Sequence, residues 1–437
     1  MKRLPPEFFL STSQVFGGVY YTVVFGGLMT LFFLQEGAQE FLIGIFAIIP
    51  SLVAILLLYI IPLVRRWYPE ILLWSSITMA ATGFSLLLLF PASLSLSLST
   101  LVGCYILFLI LYHISVSSFN YSWFPAVALL IPAERRGEFF GRIRMGLVLL
   151  SFFALKLSSK ILGENPGYMQ FFWIVLIVAL VQTIRPVSLA SIAFPEVLPV
   201  SRFSHCRFLR SMFKNIDFRK FFLYYFLLSC LNSFILPFLV PFLRVNLGMS
   251  ASFCLFLPSV SLFSYGISVY GWGKLNDVKG SRFVLFASLL FSTLFWFVLC
   301  NLRLFPSHYL REILIGLYFL SGLGSGGQEL ALTTRRMVLA PGEELVPYLA
   351  YFLILGGNVP AILFPLLGGA VLQRFSSFAI GGIGIYQLLF FLVGVADIFL
   401  LFYITKMPRL KEASLKRVFR DLVNDGLMKF HEVLVSP

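Results

Sequence analysis

The sequence predicts an all-α integral membrane protein of about twelve transmembrane helices. Three observations carry this expectation. Of 437 residues, 59% are hydrophobic and only 12% charged, whereas a soluble domain of this length needs far more polar surface. The apolar segments run for roughly 20 residues or more, enough to cross a hydrocarbon core about 30 Å thick. Basic residues are gathered into alternate loops, the pattern that orients helical membrane proteins. The ten-residue alternating segments of a spanning β-barrel do not occur.

The elements follow in order from apolar runs and the signals that interrupt them. A first span at 11–35 ends at Glu36-Gly37, and a second at 41–64 ends at Arg65-Arg66. The third, 70–91, stops at Pro91-Ala92-Ser93, and the fourth, 99–123, gives way to a basic stretch from Arg135 to Arg144. A fifth span at 143–163 meets the turn Asn165-Pro166-Gly167, and the sixth, 168–194, meets a polar stretch at 195–217. The seventh, 218–243, closes on Asn246-Leu247-Gly248, and the eighth, 250–272, on the segment Gly273 to Arg282. Spans at 282–304, 310–333, 345–372 and 380–405 complete the set, followed by a polar tail at 406–437. Glycine, proline and asparagine punctuate these junctions because they accept turn geometry.

About 26 of the 33 basic residues fall in the termini and alternate loops on one side of the membrane, and the net charge is +14. The positive-inside rule then puts both termini and the central loop in the cytoplasm, and an even span number agrees. This placement turns the basic balance away from nucleic acid and towards the inner leaflet. The 195–217 linker interleaves Phe203, Phe208, Leu209, Met212, Phe213 and Ile216 with cations, and the tail does the same with Leu415, Val418, Phe419, Leu422 and Val423. Both read as basic amphipathic segments lying on an anionic lipid surface. The five Cys are scattered without paired or metal-ligand spacing, and no cleavable signal peptide is evident.

After the eighth span the chain reads Gly273-Lys-Leu-Asn-Asp277-Val-Lys-Gly280-Ser-Arg282. Gly273 is placed for close helix approach and Gly280 for a tight turn, with Asp277 positioned to cap a neighbouring helix and pair with a cation. The segment resembles the G-x-x-x-D-x-x-G-x-R/K loop of the major facilitator superfamily, at the position of that family's second copy. The corresponding first-half segment, Pro62-Leu-Val-Arg65-Arg66-Trp-Tyr-Pro69, lacks the acid. The loop Pro132-Ala-Glu134-Arg135-Arg-Gly137-Glu-Phe139-Phe140-Gly141-Arg142 is similar to the segment that opens the fifth helix in bacterial facilitator permeases. Gly141 and Gly146 are expected to permit close helix packing. An offset of about 209 residues aligns this loop with Pro341-Gly-Glu343 to Ala350 and Asn120 with Glu329, the mark of a duplicated six-helix unit. Pro365-Leu-Leu-Gly368-Gly369 is similar to the family's eleventh-helix packing stretch.

The resemblance implies two pseudo-symmetric six-helix bundles, 1–194 and 218–405, with a basic linker at 195–217 and a tail at 406–437. It also implies that the first, fourth, seventh and tenth helices line a cavity, which makes Gln14, Tyr21, His113, Asn120, Asn232, Gln328 and Glu329 candidate substrate or coupling residues. The expected cytoplasmic gate and loop motif comprises Gly273, Asp277, Gly280, Arg282, Arg335, Arg336, Arg135, Gly137 and Arg142.

Ionisable groups at membrane depth cost about 2.5–3.5 kcal/mol each on insertion scales, so each calls for a role. Lys156 lies 12 residues past Arg144, roughly 18 Å along a helix, and is read as a substrate or counter-ion site, a structural pair or a snorkelled side chain. His113 is either a satisfied packing residue or a proton-coupling site. Glu329 follows a flexible glycine stretch, Gly322 to Gly327, and is either a proton carrier or half of an ion-pair gate. Arg185 and Asp397 sit at matching depths in the sixth and twelfth spans and are expected to snorkel or pair locally.

The functional expectation is secondary active transport of a small organic solute by alternating access, proton-coupled, with an organic anion or amphiphile favoured. A drug or metabolite exporter of the same fold, a non-transporting receptor or scaffold, and a membrane-embedded transferase are the alternatives. No catalytic motif, metal-ligand cluster or cofactor fingerprint appears. The expected partners are the solute, protons and the lipid bilayer, for a monomer in a bacterial inner (plasma) membrane.

Overall fold

The computed structural model describes residues 5–57, 67–132, 135–194, 209, 212–339, 348, 351–377, 379–380 and 383–407. Twelve helical stretches occupy them, and we number these in chain order. They are α1 Pro6–Gln35, α2 Glu40–Leu56, α3 Tyr68–Ala92, α4 Leu98–Leu130, α5 Arg136–Leu162 and α6 Tyr168–Ala190. The second six are α7 Ile216–Asn246, α8 Ala251–Lys279, α9 Ser281–Cys300, α10 Leu310–Leu339, α11 Tyr351–Arg374 and α12 Ile385–Thr405. A two-stranded antiparallel hairpin, β1 Ala379–Ile380 and β2 Ile383–Gly384, pairs Ala379 with Gly384 and Ile380 with Ile383.

Ten of these helices are long and apolar enough to cross a membrane among the described residues. Of the other two, α2 is shorter, and α10 carries Arg311 and Glu312 at one end and Glu329, Arg335 and Arg336 towards the other. Leu88, Phe153, Phe399 and Phe402 are each more than half exposed, as side chains facing lipid rather than water would be. The helices α4, α8 and α10 outrun the expected apolar spans by six or more residues, because helical hydrogen bonding continues into their polar ends. Arg65, Arg66, most of the 195–217 linker, Pro341 to Pro347 and the tail beyond Met407 lie outside the described residues.

Local chemistry explains where several helices begin. Ser97 accepts from the Thr100 amide at the start of α4, Asn215 from the Asp217 and Phe218 amides before α7, and Ser250 from the Phe253 amide before α8. Each satisfies a main-chain donor that a helix start leaves free. Gly280, with φ +86°, turns the chain directly from α8 into α9. The helix α1 is interrupted by a π-helical turn at Val24–Leu28, where Gly27 takes φ +132° and ψ −20°. Near Pro237 and Pro241, α7 passes through a 3-10 turn and then a π turn.

By contacts the chain divides into two compact units. One holds 1–205, 229–263 and 351–386; the other holds 206–228, 264–350 and 387–437. In the first unit, α1 packs on α5 and α6, α3 on α4, and α2 on both α4 and α11. The α2–α11 contact is main chain to main chain. A Cβ at Gly44 would stand 2.6 Å from the Pro365 carbonyl oxygen, and one at Gly369 would stand 3.0 Å from that of Glu40. At its end, Gln373 donates to Gln39 and Tyr386 to Glu40. The expected packing role of Gly368 and Gly369 is thus met, whereas Gly141 and Gly273 have no neighbour within 4 Å of a built Cβ among the described residues. In the second unit, α9 packs along α10. The glycines expected to make α10 flexible instead lie inside one continuous helix. Gly324 meets Phe291 and the Ser288 carbonyl, Gly326 meets Ser268, and Gly327 meets the Trp272 ring; they are packing glycines.

Candidate functional site

In the first unit, α1 and α4 build an aromatic recess around an imidazole. His113 is 3% exposed and its Nε2 has no hydrogen-bond partner among the described residues. Phe25, Tyr112 and Tyr21 surround it, with ring centroids 5.2, 5.7 and 6.0 Å away. Tyr21 and Tyr112 meet it edge to face, a geometry the ring quadrupoles favour. Tyr21 is 43% exposed, so the recess opens through its ring. Behind this face the wall is fixed by polar contacts. Gln182 of α6 donates to the Tyr112 hydroxyl at 3.3 Å, and Tyr20 donates to the Gly83 carbonyl at 3.2 Å. The placement of Tyr21 and Phe25 one turn apart follows from helical periodicity, but the meeting with His113 depends on the α1–α4 approach.

The remaining first-unit candidates stand apart from this cluster. Gln14 and Asn232 are half-buried, and Asn120 is exposed. Lys156 is exposed on α5, with its ammonium 5.8 Å from the centre of the Phe152 ring, and no carboxylate lies within 4 Å of it among the described residues. Ser159, one turn on, donates to the Ser252 carbonyl at 2.8 Å. Arg135 pairs with Glu7 at 3.2 Å and Arg142 with Glu138 one turn away at 3.4 Å. Gly137 lies in the first turn of α5.

In the second unit, Glu329 is exposed and accepts from the Tyr265 hydroxyl at 2.9 Å, while the neighbouring Gln328 is half-buried with its Nε2 enclosed. The loop motif is organised by its arginine. Arg282 is 4% exposed and its Nη2 donates to the Ile404 and Thr405 carbonyls at 3.2 and 2.6 Å. Those carbonyls end α12, where a helix leaves acceptors unmatched and its dipole favours a cation. Arg335 is fully buried, donates to Ser281 at 3.1 Å and faces the Phe221 ring. Arg336 is half-buried, bonds back to Leu332 and Thr333 on its own helix, and stands over the Tyr225 ring. Asp277 stands exposed in the last turn of α8 and makes no hydrogen bond or ion pair among the described residues. A capping contact of Asp277 with a neighbouring helix does not fall among the described residues.

Two charges were expected to snorkel or to pair locally, and both are buried with local hydrogen-bond partners. Arg185 is 6% exposed. It donates to the Ser13 carbonyl at 3.1 Å and towards the Met79 sulfur, and lies 4.3 Å from the centre of the Phe119 ring. Asp397 is 1% exposed and accepts from Ser292 at 2.9 Å.

The Major Facilitator Superfamily model matches residues 221–434. The solved nucleoside transporter NupG superposes with a TM-score of 0.66 at 15% identity, over 92% of this chain and 99% of that one. A bacterial homolog of the human lysosomal transporter Spinster, in an inward-facing, unoccupied conformation, gives 0.66 at 12% identity over 91% and 95%. A bacterial metal transporter gives 0.60 at 14% over 93% and 99%. No curated protein matches the chain in sequence.

The chain has the major facilitator fold, and residues 221–434 match that superfamily's model. With ten helices long and apolar enough to cross a membrane among the described residues, it is an integral membrane protein, and the superfamily match supports a role in secondary transport. Within this fold, sequence reasoning named His113 and Tyr21 but missed Phe25 and Tyr112, which complete the recess. The i, i+4 aromatic pair Tyr21 and Phe25 was a visible signal. Tyr112, adjacent to His113 and so on another face of an isolated helix, was not.

Proposed function

We propose that this chain carries a small organic amphiphile across the membrane by alternating access, coupled to protons. The α1–α4 recess of Tyr21, Phe25 and His113 is the solute contact on this reading. One observation carries it: a buried imidazole with an unpartnered Nε2 sits beside an aromatic ring that is 43% exposed, on helices that cross the membrane. An apolar or aromatic solute body stacks on Tyr21 and Phe25, and its polar group meets His113. Lys156, with no carboxylate within 4 Å among the described residues, is the candidate site for a negative charge on the same class of solute.

The bundles 1–194 and 218–405 are the moving parts in this scheme, rocking about a site near the bilayer midplane. Gln14, Asn120, Asn232, Gln328 and Glu329 remain candidate contacts on cavity-lining helices. Arg282, Arg335 and Arg336 belong to the cytoplasmic gate motif, with both termini inside a bacterial inner membrane and the monomer as the working unit. The basic loops support that orientation.

The test is thermal stabilisation of the purified protein by anionic, neutral, cationic and aromatic solutes, read in wild type, His113→Ala, Tyr21→Ala and Lys156→Ala. A solute present at 100 times its Kd should stabilise the native state by about 2.7 kcal/mol. The expected result is that an amphiphile stabilises wild type and loses most of that effect in His113→Ala and Tyr21→Ala. If every stabilising solute acts equally on those variants and wild type, the recess is not the solute contact.

A further inference from the structure

The second unit holds a buried carboxylate to which the assignments above give no role. Asp397 lies in α12 with 1% of its surface accessible, and its Oδ2 accepts one hydrogen bond, from Ser292 of α9 at 2.9 Å. From α7 the fully buried Tyr224 lies within electrostatic reach of Asp397 and of Arg335, and close to Gln328. From α10 come Arg335 and Gln328, with Arg335 donating to Ser281 and facing the Phe221 ring. From α9, besides Ser292, come Ser288, which bonds its own helix at the Leu285 carbonyl, and Arg282, which is held by the carbonyls that end α12. On α12 itself, Tyr403 donates to the Lys220 carbonyl. Among the described residues no ammonium or guanidinium lies within 4 Å of the Asp397 carboxylate.

An ionised carboxylate with a single neutral donor is poorly accommodated in such a place. Removing a carboxylate from water is expensive unless a cation or several hydrogen bonds replace the hydration shell. Intramembrane acids therefore pair, reach a wet cavity or carry a proton. Asp397 does not pair and is enclosed, which leaves the proton. The Ser292 hydroxyl donates to the carboxyl, and the buried Tyr224 lies within electrostatic reach of it.

We propose that Asp397 is a proton-binding site, loaded in the state described here and placed to couple proton movement to transport. On release, in a state that opens the site to water, the carboxyl O–H bond breaks and the proton passes to that water, leaving an anion that still accepts from Ser292. The coupling rests on the reading of the chain as a proton-coupled transporter; the proton-binding itself does not. It also assigns the exchangeable proton to α12 rather than to His113 or Glu329.

Infrared difference spectroscopy of the purified chain in lipid nanodiscs, titrated through neutral pH, decides the matter. Wild type should show a protonated-carboxyl stretch at neutral pH that is lost in Asp397→Asn. A band of equal intensity in both proteins, or none in wild type, would overturn the proposal. Should Asp397→Asn fail to fold, Ser292→Ala serves instead. Removing the one donor should shift the carboxyl band, and an unmoved band would again refute the assignment. Solute-driven proton uptake into proteoliposomes, with the panel named above, tests the other reading separately. If no solute moves protons in wild type while the Asp397 band is present, coupled transport fails and the proton site stands. If Asp397→Asn moves protons with solute as wild type does, the assigned coupling role of Asp397 is wrong.

Discussion

The Arg185 guanidinium lies over Gly17, so closely that a Cβ at position 17 would overlap its Nε and Cζ atoms. A cation in α6 thereby depends on a missing side chain in α1. Gly17→Ala should destabilise the chain by about 1–3 kcal/mol, the usual cost of overpacking. Arg185→Ala should largely remove that penalty, so the pair should be strongly non-additive. Thermal melts of the two single variants and the double variant measure this; simple additivity would show that Arg185 yields freely.

Arg282 is predicted to act as the anchor of α12. Its two hydrogen bonds run to the Ile404 and Thr405 carbonyls, and bonds made by a charged donor are each worth about 1.5–3 kcal/mol. Arg282→Ala should lower the melting temperature and expose the chain near Met407 to proteolysis. Arg282→Lys, which keeps the charge but loses the fork, should recover only part of the loss. Equal protection of all three proteins would show that α12 ends securely without the arginine.

A surface ion pair provides the contrasting case. Arg142 and Glu138 are both more than half exposed, and their 3.4 Å contact lies within one helix. Such pairs contribute about 0–1 kcal/mol. Arg142→Ala should leave the melting temperature unchanged within error. If transport falls nevertheless, the residue acts at a gate and not in folding.

The π turn of α1 provides a backbone test. Gly27 has φ +132°, a region in which side chains are strained, at about 1–3 kcal/mol per residue. Gly27→Ala should be destabilising by that order, and more so than Gly26→Ala, whose built Cβ meets nothing within 4 Å. Equal melting temperatures for the two variants would mean that α1 runs as a regular helix.

The sequence made the helices legible because each apolar run and its basic or turn-forming boundary is a local signal. The structure places a helix on part of each of the twelve expected spans, with 58–64 and most of 345–350 outside the described residues; the turn at Gly280 was readable from residue type, and the close packing at Gly368 and Gly369 from the family resemblance. The candidate site was legible only in part. His113 and Tyr21 were visible as unusual residues on helices of interest, but their meeting depends on how α1 crosses α4. For Arg185 and Asp397 the choice between snorkelling and local pairing was open for the same reason. Depth along a helix follows from counting residues, whereas the direction a side chain faces depends on which helices become neighbours. The partners of Arg185, for instance, are Ser13 and Met79, which are 172 and 106 residues away in the chain.

The seam between α2 and α11 has a consequence for motion. Where Gly44 and Gly369 bring main chain against main chain, an added methyl would meet backbone that cannot rotate away, so the seam holds one separation and one register. In the proposed alternating access, helices that part there return to that same register each time.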